Sequence, residues 1–299
     1  MEKSVGIVVV TYNRLELLKE VVESLRNQTY NDFQIVVVNN GSTDNTLQWL
    51  GKQTDIVTIT QGNLGGAGGF HTGLKYVAEH GFKYCWLMDD DVVCFETALE
   101  ELVKAYNINA NIGFVCSAVQ GLDGSPMNVP VVDMRASSNG YPNYYGLLEY
   151  QMIKVQNATF VSVFLATDMI KEVGLPYKDY FIWGDGTEYT MRISKRYPCY
   201  LACKSEVVHK RKIQGIIAFD TETDKKRLKN YFYFFRNSIN NVKLYERFRN
   251  LMICYLKHSI KALIYFIQFD FRRYWVLTRA MFSAMFFKPK VEYPNNKQF

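Results

Sequence analysis

Organised cysteine is missing from this chain. Cys85, Cys94, Cys116, Cys199, Cys203 and Cys254 are scattered, and no two of them form a CxxC or another metal-ligand spacing. That dispersal excludes a disulfide scaffold and fits free thiols in a reducing compartment. Long apolar runs are missing too. No stretch approaches the roughly 20 apolar residues that cross a bilayer. The leading run, residues 5–10, is too short for a signal-peptide core and lacks a cleavage pattern. The expectation is a cytoplasmic chain that neither is secreted nor spans a membrane. There is also no internal repeat and no low-complexity tract.

What is present suffices for a large core. Hydrophobic residues make up 48% of 299 positions, which excludes global disorder and allows one large α/β domain with an appendage. The net charge of +6 conceals an asymmetry. From Lys225 onward there are 16 Lys and Arg against 3 Asp and Glu, so the preceding 224 residues are net acidic. An acidic cleft that meets its ligand through a metal, and a basic tail that meets an anionic partner, are both implied.

Residues 5–10 read as a buried parallel strand, and Leu18, Val21, Val22 and Leu25 recur at helical spacing behind it. A second strand at 33–38 ends in the turn cluster Asn39-Asn40-Gly41-Ser42, where Ser42 or Thr43 is expected to cap a short helix. Residues 56–60 and 82–88 supply a third and a fourth strand. This alternation predicts an α/β fold with a mostly parallel sheet covered on both faces. Ligands bind outside the carboxyl ends of such strands, so residues 11–14, 39–44 and 89–91 are predicted along one functional edge. Between Gly121 and Tyr145 the chain is rich in Gly, Pro and Asn, a long loop of the kind that usually carries function.

Four segments carry chemistry. Asp89-Asp90-Asp91 follows an apolar strand directly, and three adjacent carboxylates repel unless something cationic relieves them. Hard carboxylate oxygens suit Mg²⁺ or Mn²⁺ bridging to a substrate phosphate. A glycine-rich stretch, residues 62–69, precedes a helical segment at 72–80 and suits close approach to a phosphate at a helix start. It fits neither GxGxxG nor a Walker loop. In Trp183-Gly184-Asp185-Gly186-Thr187-Glu188-Tyr189, Asp185 reads as a candidate base. Glu188 reads equally as a second one or as a first-turn helix acid. Trp183 and Tyr189 stack on a sugar or fill the core. His209, after a strand-like run, becomes a metal ligand only in the company of the acidic triplet.

Val10-Thr11-Tyr12-Asn13-Arg14, Asn39-Asn40-Gly41-Ser42-Thr43-Asp44, the glycine stretch, the Asp triplet and Phe181-Ile182-Trp183-Gly184-Asp185 together resemble glycosyltransferase family 2, over about residues 4–240. The 65–70 and 183–189 segments look most like its galactofuranosyl- and rhamnosyltransferase branch. The resemblance implies a GT-A fold over residues 1–224, a C-terminal helical extension over 225–299, and inverting transfer from a nucleotide sugar. It implies that Thr11, Tyr12, Asn13, Arg14, Asn40, Asp44, Asn63, Gly65, Gly66, Gly69, Asp89 and Asp90 hold the donor nucleotide. Asp89, Asp91 and His209 would hold Mn²⁺ or Mg²⁺, Asp185 or Glu188 would act as base, and Trp183, Gly184 and Tyr189 would contact sugar. The donor implied is UDP-galactofuranose, with dTDP-rhamnose as the alternative. Two departures stand out: Asn40 replaces a common Asp, and Gly186 stands where the galactofuranosyltransferase pattern has a second aspartate, commonly taken as the base.

The stretch 251–287 mixes large apolar residues with Lys257, Lys261, Arg272, Arg273 and Arg279. Helices of that kind lie in the interface of anionic lipid or form an oligomer contact. The expected acceptor is a glycan or lipid-linked glycan, with the protein peripheral at the inner face of the membrane. No nucleic-acid module is present. A nucleotidyltransferase would be expected to place a basic residue within the glycine loop, and this one has none. A sugar-nucleotide-binding protein without activity is the remaining alternative.

Overall fold

The computed structural model describes residues 3–211 and 218–295. The chain begins as three repeats of strand and helix followed by a fourth strand. They are β1 (Val5–Thr11), α1 (Leu15–Arg26), β2 (Phe33–Asn39), α2 (Thr46–Leu50), β3 (Ile56–Thr60), α3 (Gly65–Glu79) and β4 (Tyr84–Asp89). These strands lie in the order β3-β2-β1-β4, all parallel. The expected helix behind β1 forms, and Leu18, Val21, Val22 and Leu25 are its buried face.

The second half is mixed. After β5 (Val92–Cys94) and α4 (Ala98–Tyr106) come β6 (Val115–Gln120), β7 (Val131–Val132), β8 (Met152–Asn157), β9 (Val163–Ala166), α5 (Thr167–Val173), α6 (Asp185–Ser194) and β10 (Tyr200–His209). β9 runs antiparallel between β4 and β6, and β10 pairs with β6, β8 and β5 to complete one ten-stranded sheet. One apolar layer sits under α1 and α4, the other under α3, α5 and α6. This α/β architecture with helices on both faces is GT-A-like.

One sequence expectation changes. The glycine stretch is not a loop ahead of a helix at 72–80, because α3 already begins at Gly65. Two glycines of α3 are needed for close packing. A Cβ on Gly69 would come within 2.3 Å of Val10, and one on Gly73 within 2.2 Å of Val8. Helical glycine costs about 1 kcal/mol against alanine, and here it lets α3 lie directly on β1. The C-terminal region is helical, as expected. α7 (Lys225–Tyr245), α8 (Phe248–Ile267) and α9 (Phe271–Phe286) pack together around Tyr231, Phe235, Tyr265 and Leu277. Trp183 of the first 224 residues packs into the same cluster, so this region is joined to the body through α7.

Candidate active site

β1, β2 and β4 end in register, with Val10 opposite Asp89 and Thr11 opposite Asn39. Three turns therefore leave the sheet side by side, as expected. They are joined by their own side chains. Asn13, at φ 55°, accepts hydrogen bonds at Oδ1 from the amides of Thr43 (2.7 Å) and Asp44 (3.3 Å). Asn40 Oδ1 accepts from Gln61 Nε2 at 2.9 Å and from the Leu64 amide at 3.2 Å, while its Nδ2 donates to Gly65 O at 2.8 Å. Asn63 Oδ1 accepts from the Gly65 amide at 2.9 Å. Asp90 accepts from Thr11 Oγ1 at 2.8 Å, the Tyr12 amide at 3.3 Å and Arg14 Nη1 at 3.1 Å.

Several residues expected on the donor also join the turns to one another. Asn13, Asn40, Asn63, Thr11 and Asp90 staple turn to turn, because the strand ends lie close enough for these short side chains to satisfy neighbouring backbone. Tyr12 is exposed and Gly69 lies under Val10. The N-cap of α2 is Asn45, without a side-chain cap, rather than Ser42 or Thr43, and Asp44 just before it accepts from the Thr46 amide at 3.0 Å. Arg14 and Gly66 do reach the central cleft.

The cleft, about 310 Å³, is lined by Asp89, Asp91, His209, Asp185, Trp183 and Gly184 among others. β10 runs antiparallel to β5 and sets His209 opposite Val92. Ligand atoms of Asp89, Asp91 and His209 consequently lie within 4.8 Å of one another. His209 Nδ1 is 2.8 Å from Asn128 Oδ1, and Asn128 Nδ2 donates to Thr159 Oγ1 at 3.4 Å. With the carboxamide oxygen facing the ring, Nδ1 carries the proton. Nε2 lies 3.1 Å from Asp91 Oδ1; burial raises the Asp91 carboxyl, but hydrogen bonding and charge from His209 and Arg14 bring it below its usual value. Two carboxylates with one imidazole also fit Mn²⁺ or Mg²⁺. Burial, then Asp91 and Asp90, push the Asp89 carboxyl well above the usual range, so positive charge is favoured there.

Asp185 opens α6. Burial pushes its carboxyl up to about 6, against the lowering effect of the Asp185 and Gly186 amides at the helix start. Gly186 has no space for a side chain, since a Cβ there would sit 2.8 Å from Phe160 N and 3.3 Å from Thr159 Cα. The turn therefore admits one carboxylate into the cleft, from position 185. Glu188 and Tyr189 lie elsewhere. Glu188 is fully buried and forms a bidentate pair with Arg192, at 3.0 and 2.6 Å, with Tyr245 OH on the same carboxylate. Tyr189 is a core residue packed edge-on against Phe160. Both side chains are buried away from the cleft, Tyr189 in the apolar core beneath the sheet and Glu188 against Arg192 and Tyr245 of α7.

The loop at 180–184 sits in backbone conformations that side chains avoid, with φ of 65° at Phe181, 62° at Trp183 and 89° at Gly184. α7 holds it there. Asn237 Nδ2 is shared among the carbonyls of Tyr180 (2.9 Å), Ile182 (3.2 Å) and Trp183 (2.7 Å). Arg236 Nη2 donates to Asp179 O at 2.6 Å, and Asn241 Nδ2 to Gly184 O at 3.3 Å. Gly65, at φ 72°, lets the start of α3 touch the same loop, where a Cβ would lie 2.0 Å from Phe181 O. Trp183 stands where three depressions meet. It lines the central cleft, an aromatic groove of about 630 Å³ with Met127, Val129, Tyr231 and Phe234, and a polar groove of about 890 Å³ with Asn13, Arg14, Asp44, Lys226 and Asn230.

Sequence reasoning missed Asn128 and Asn237. Asn128 carried no signal beyond an asparagine in a turn-rich segment. Asn237 sits among Arg236, Asn240 and Asn241, a polar patch on an otherwise aromatic helix, and that contrast was its one legible mark.

The sheet edge thus gathers two aspartates and a histidine into one group able to hold a metal ion. Residues 6–169 match the model of glycosyl transferase family 2, and the chain belongs to that family. A stretch of 95 residues is 40% identical to the galactofuranosyltransferase GlfT1 of Mycobacterium tuberculosis, covering 30% of this chain and 31% of that one. The match thus spans about a third of that relative's length. Among solved structures, GalNAc-T7 with UDP, GalNAc and Mn²⁺ superposes with a TM-score of 0.60 at 12% identity, over 81% of this chain and 48% of that one. Residues 1–349 of TarS from S. aureus, in complex with UDP, give 0.55 at 14% identity, over 80% and 65%. At these identities the two likenesses speak for the fold.

Proposed function

We propose that this chain is a metal-dependent glycosyltransferase that moves a sugar, galactofuranose by preference, from a UDP donor to a glycan or lipid-linked glycan acceptor with inversion. The observation that carries this reading is the grouping of Asp89, Asp91 and His209, whose ligand atoms lie within 4.8 Å of one another, in the cleft that Asp185 also lines. Asp89, Asp91 and His209 would hold a divalent cation, which would supply charge neutralisation to the departing diphosphate. Arg14, at the edge of the polar groove, turns from Asp90 and Asp91 to a donor phosphate. Asp185 takes the proton from the acceptor hydroxyl as it attacks the anomeric carbon, and a carboxyl near 6 is mostly ionised at neutral pH and still basic enough for that task. The donor nucleotide takes the polar groove with Asn13, Asp44 and Lys226, and the acceptor takes the aromatic groove, where Trp183, Tyr231 and Phe234 suit the apolar face of a sugar.

The preference for galactofuranose rests on the GlfT1 similarity in one stretch of the chain, and dTDP-rhamnose is the second donor to try. The test is a panel of nucleotide sugars with Mn²⁺ or Mg²⁺, scored for nucleoside diphosphate release. Release from UDP-galactofuranose that chelator and Asp91→Ala abolish supports the proposal. Release that is indifferent to metal refutes the cation site. Donor binding without turnover, in the presence of a set of glycan acceptors, would mark a binding protein instead.

A further inference from the structure

Beyond the cleft, α8 and α9 leave a large apolar face in water. On α8 only Ala262 and Tyr265 are fully buried. Met252, Leu256, Ile260, Leu263 and Ile267 are exposed by 53, 60, 52, 57 and 64%. Their spacing of four, four, three and four places them in one row along the helix. On α9, Trp275, Phe282 and Phe286 are exposed by 60, 65 and 69% and also share a face. Large exposed apolar patches on a monomer mark an interaction site, and here two rows of half-exposed or more apolar side chains lie on packed helices. Something covers this face.

Charge selects the occupant. Residues 247–290 hold nine Lys and Arg and a single acid, Asp270. Lys261 pairs with Asp220 and Arg273 with Asp270. Arg247, Arg249, Lys257, Arg272, Lys288 and Lys290 are all exposed. A second copy of the chain would bring a matching set of cations against them with no acids in return. A surface of anionic lipid answers both features, the cations meeting phosphates and the apolar rows entering the acyl boundary. Lys257 and Lys261 lie midway along α8, which favours a helix in the plane of the surface over one that crosses it.

We propose that the α8–α9 hairpin is a lipid-binding face that seats the protein on an anionic membrane. It also fixes where the aromatic groove lies. Tyr231 and Trp183, two of its walls, belong to the same aromatic cluster as Tyr265 and Leu277 on the inner side of the hairpin. The groove is thus about one helix layer, ~10 Å, from the lipid, within reach of the head of a lipid-anchored molecule. The lipid-binding proposal stands apart from the sugar chemistry and has its own readout.

The test uses the full chain in vesicle flotation, comparing phosphatidylcholine alone with an equal mixture of phosphatidylcholine and phosphatidylglycerol. Binding to the mixed vesicles, weakened by salt and at least tenfold above phosphatidylcholine, is expected. Leu256→Glu/Leu263→Glu, at exposed positions that leave the fold intact by circular dichroism, should lower the bound fraction at least tenfold. Arg249→Gln or Arg272→Gln should each lower it about fivefold. None of these variants should alter release from a free nucleotide sugar. Wild-type protein that ignores both vesicles overturns the proposal. So does a dimer in sedimentation that Leu256→Glu/Leu263→Glu splits into monomers without any vesicle binding, since the face then belongs to a second copy.

Discussion

The two walls of the cleft are held in opposite ways. On the wall formed by β1, β2 and β4, short polar side chains reach from one turn to the next. Asn13, Asn40 and Asp90 each bind backbone or hydroxyl groups that lie at the mouth of the neighbouring strand. On the facing wall, the 180–184 loop presents its carbonyls to α7, and Asn237 answers three of them across more than 50 residues of sequence. The first wall is self-supporting, whereas the second is borrowed from the C-terminal helices. The difference explains why residues 225–245 cannot be regarded as a detachable extension. Removing them would leave the loop that carries Trp183 and leads into Asp185 without its hydrogen-bond donors.

The sharpest way to break the comparison is at Asp185, the one ionisable side chain that the borrowed wall sends into the cleft. Asp185→Asn should lower turnover by about 10²–10⁴ with little change in Mn²⁺ affinity. Glu188→Gln, three residues on, should behave in the reverse way. It leaves Arg192 buried without its counter-charge, so a loss of about 3–5 kcal/mol in stability is expected by denaturant melt, with turnover per folded molecule retained. The wild-type pH profile bears on the same assignment. A base acts only as carboxylate, and burial holds Asp185 at about 6, so the rate should fall tenfold per unit below that pH and level off above it. An acid limb that persists in Asp185→Asn would transfer the role to another group.

Asn237→Ala tests the borrowed wall itself. Three carbonyls lose their common donor, a loss of about 2–3 kcal/mol in stability. Because the left-handed residues at 181 and 183 are then free to relax, turnover should fall while Mn²⁺ binding at the opposite wall stays put. Equal losses at both walls would mean that the cleft is one unit and the comparison is false. The complementary change is Asn128→Ala. It frees His209 Nδ1 from its partner and should weaken Mn²⁺ by about 10–100-fold, as loss of an outer-shell partner does. Titration calorimetry of the pair would show whether metal affinity and loop geometry separate.

How much could be read in advance follows the same division. The sequential strand–turn–helix units write their turns as contiguous motifs, so the functional edge, the acidic triplet and the helix carrying Leu18 and Leu25 were legible. What the residues do within those motifs was less so. Asn40 and Asn63 have the composition of ligand-binding residues, but the strand spacing sets them against one another. The glycine run has the composition of a phosphate loop, yet Gly65 packs on Phe181 and Gly69 on Val10, and Gly66 alone of the run lines the cleft. The meeting of His209 with Asp91 depends on β10 pairing with β5, and was expected from the family resemblance rather than from local pattern. The clamp by Asn237 of α7 on the 180–184 loop joins distant segments, to which local pattern is blind.

The smallest effect is predicted at Tyr189, which sequence composition placed among the candidates for sugar stacking. Its ring is buried against Phe160, with the Arg192 guanidinium 5.4 Å from its centre, and its hydroxyl has no hydrogen-bond partner. A buried hydroxyl without a partner costs about 1–3 kcal/mol, so Tyr189→Phe should leave stability unchanged or raise it by about 1 kcal/mol. KM for donor and acceptor should not move, because Tyr189 is not itself a wall of the cleft and Phe keeps its packing against Phe160. Trp183→Phe is the control from the same segment, at the junction of all three depressions, and should raise the acceptor KM several-fold. If Tyr189→Phe raised it too, α6 would have to turn its inner face toward the substrate, and the borrowed wall would then begin at Asp185 rather than end there.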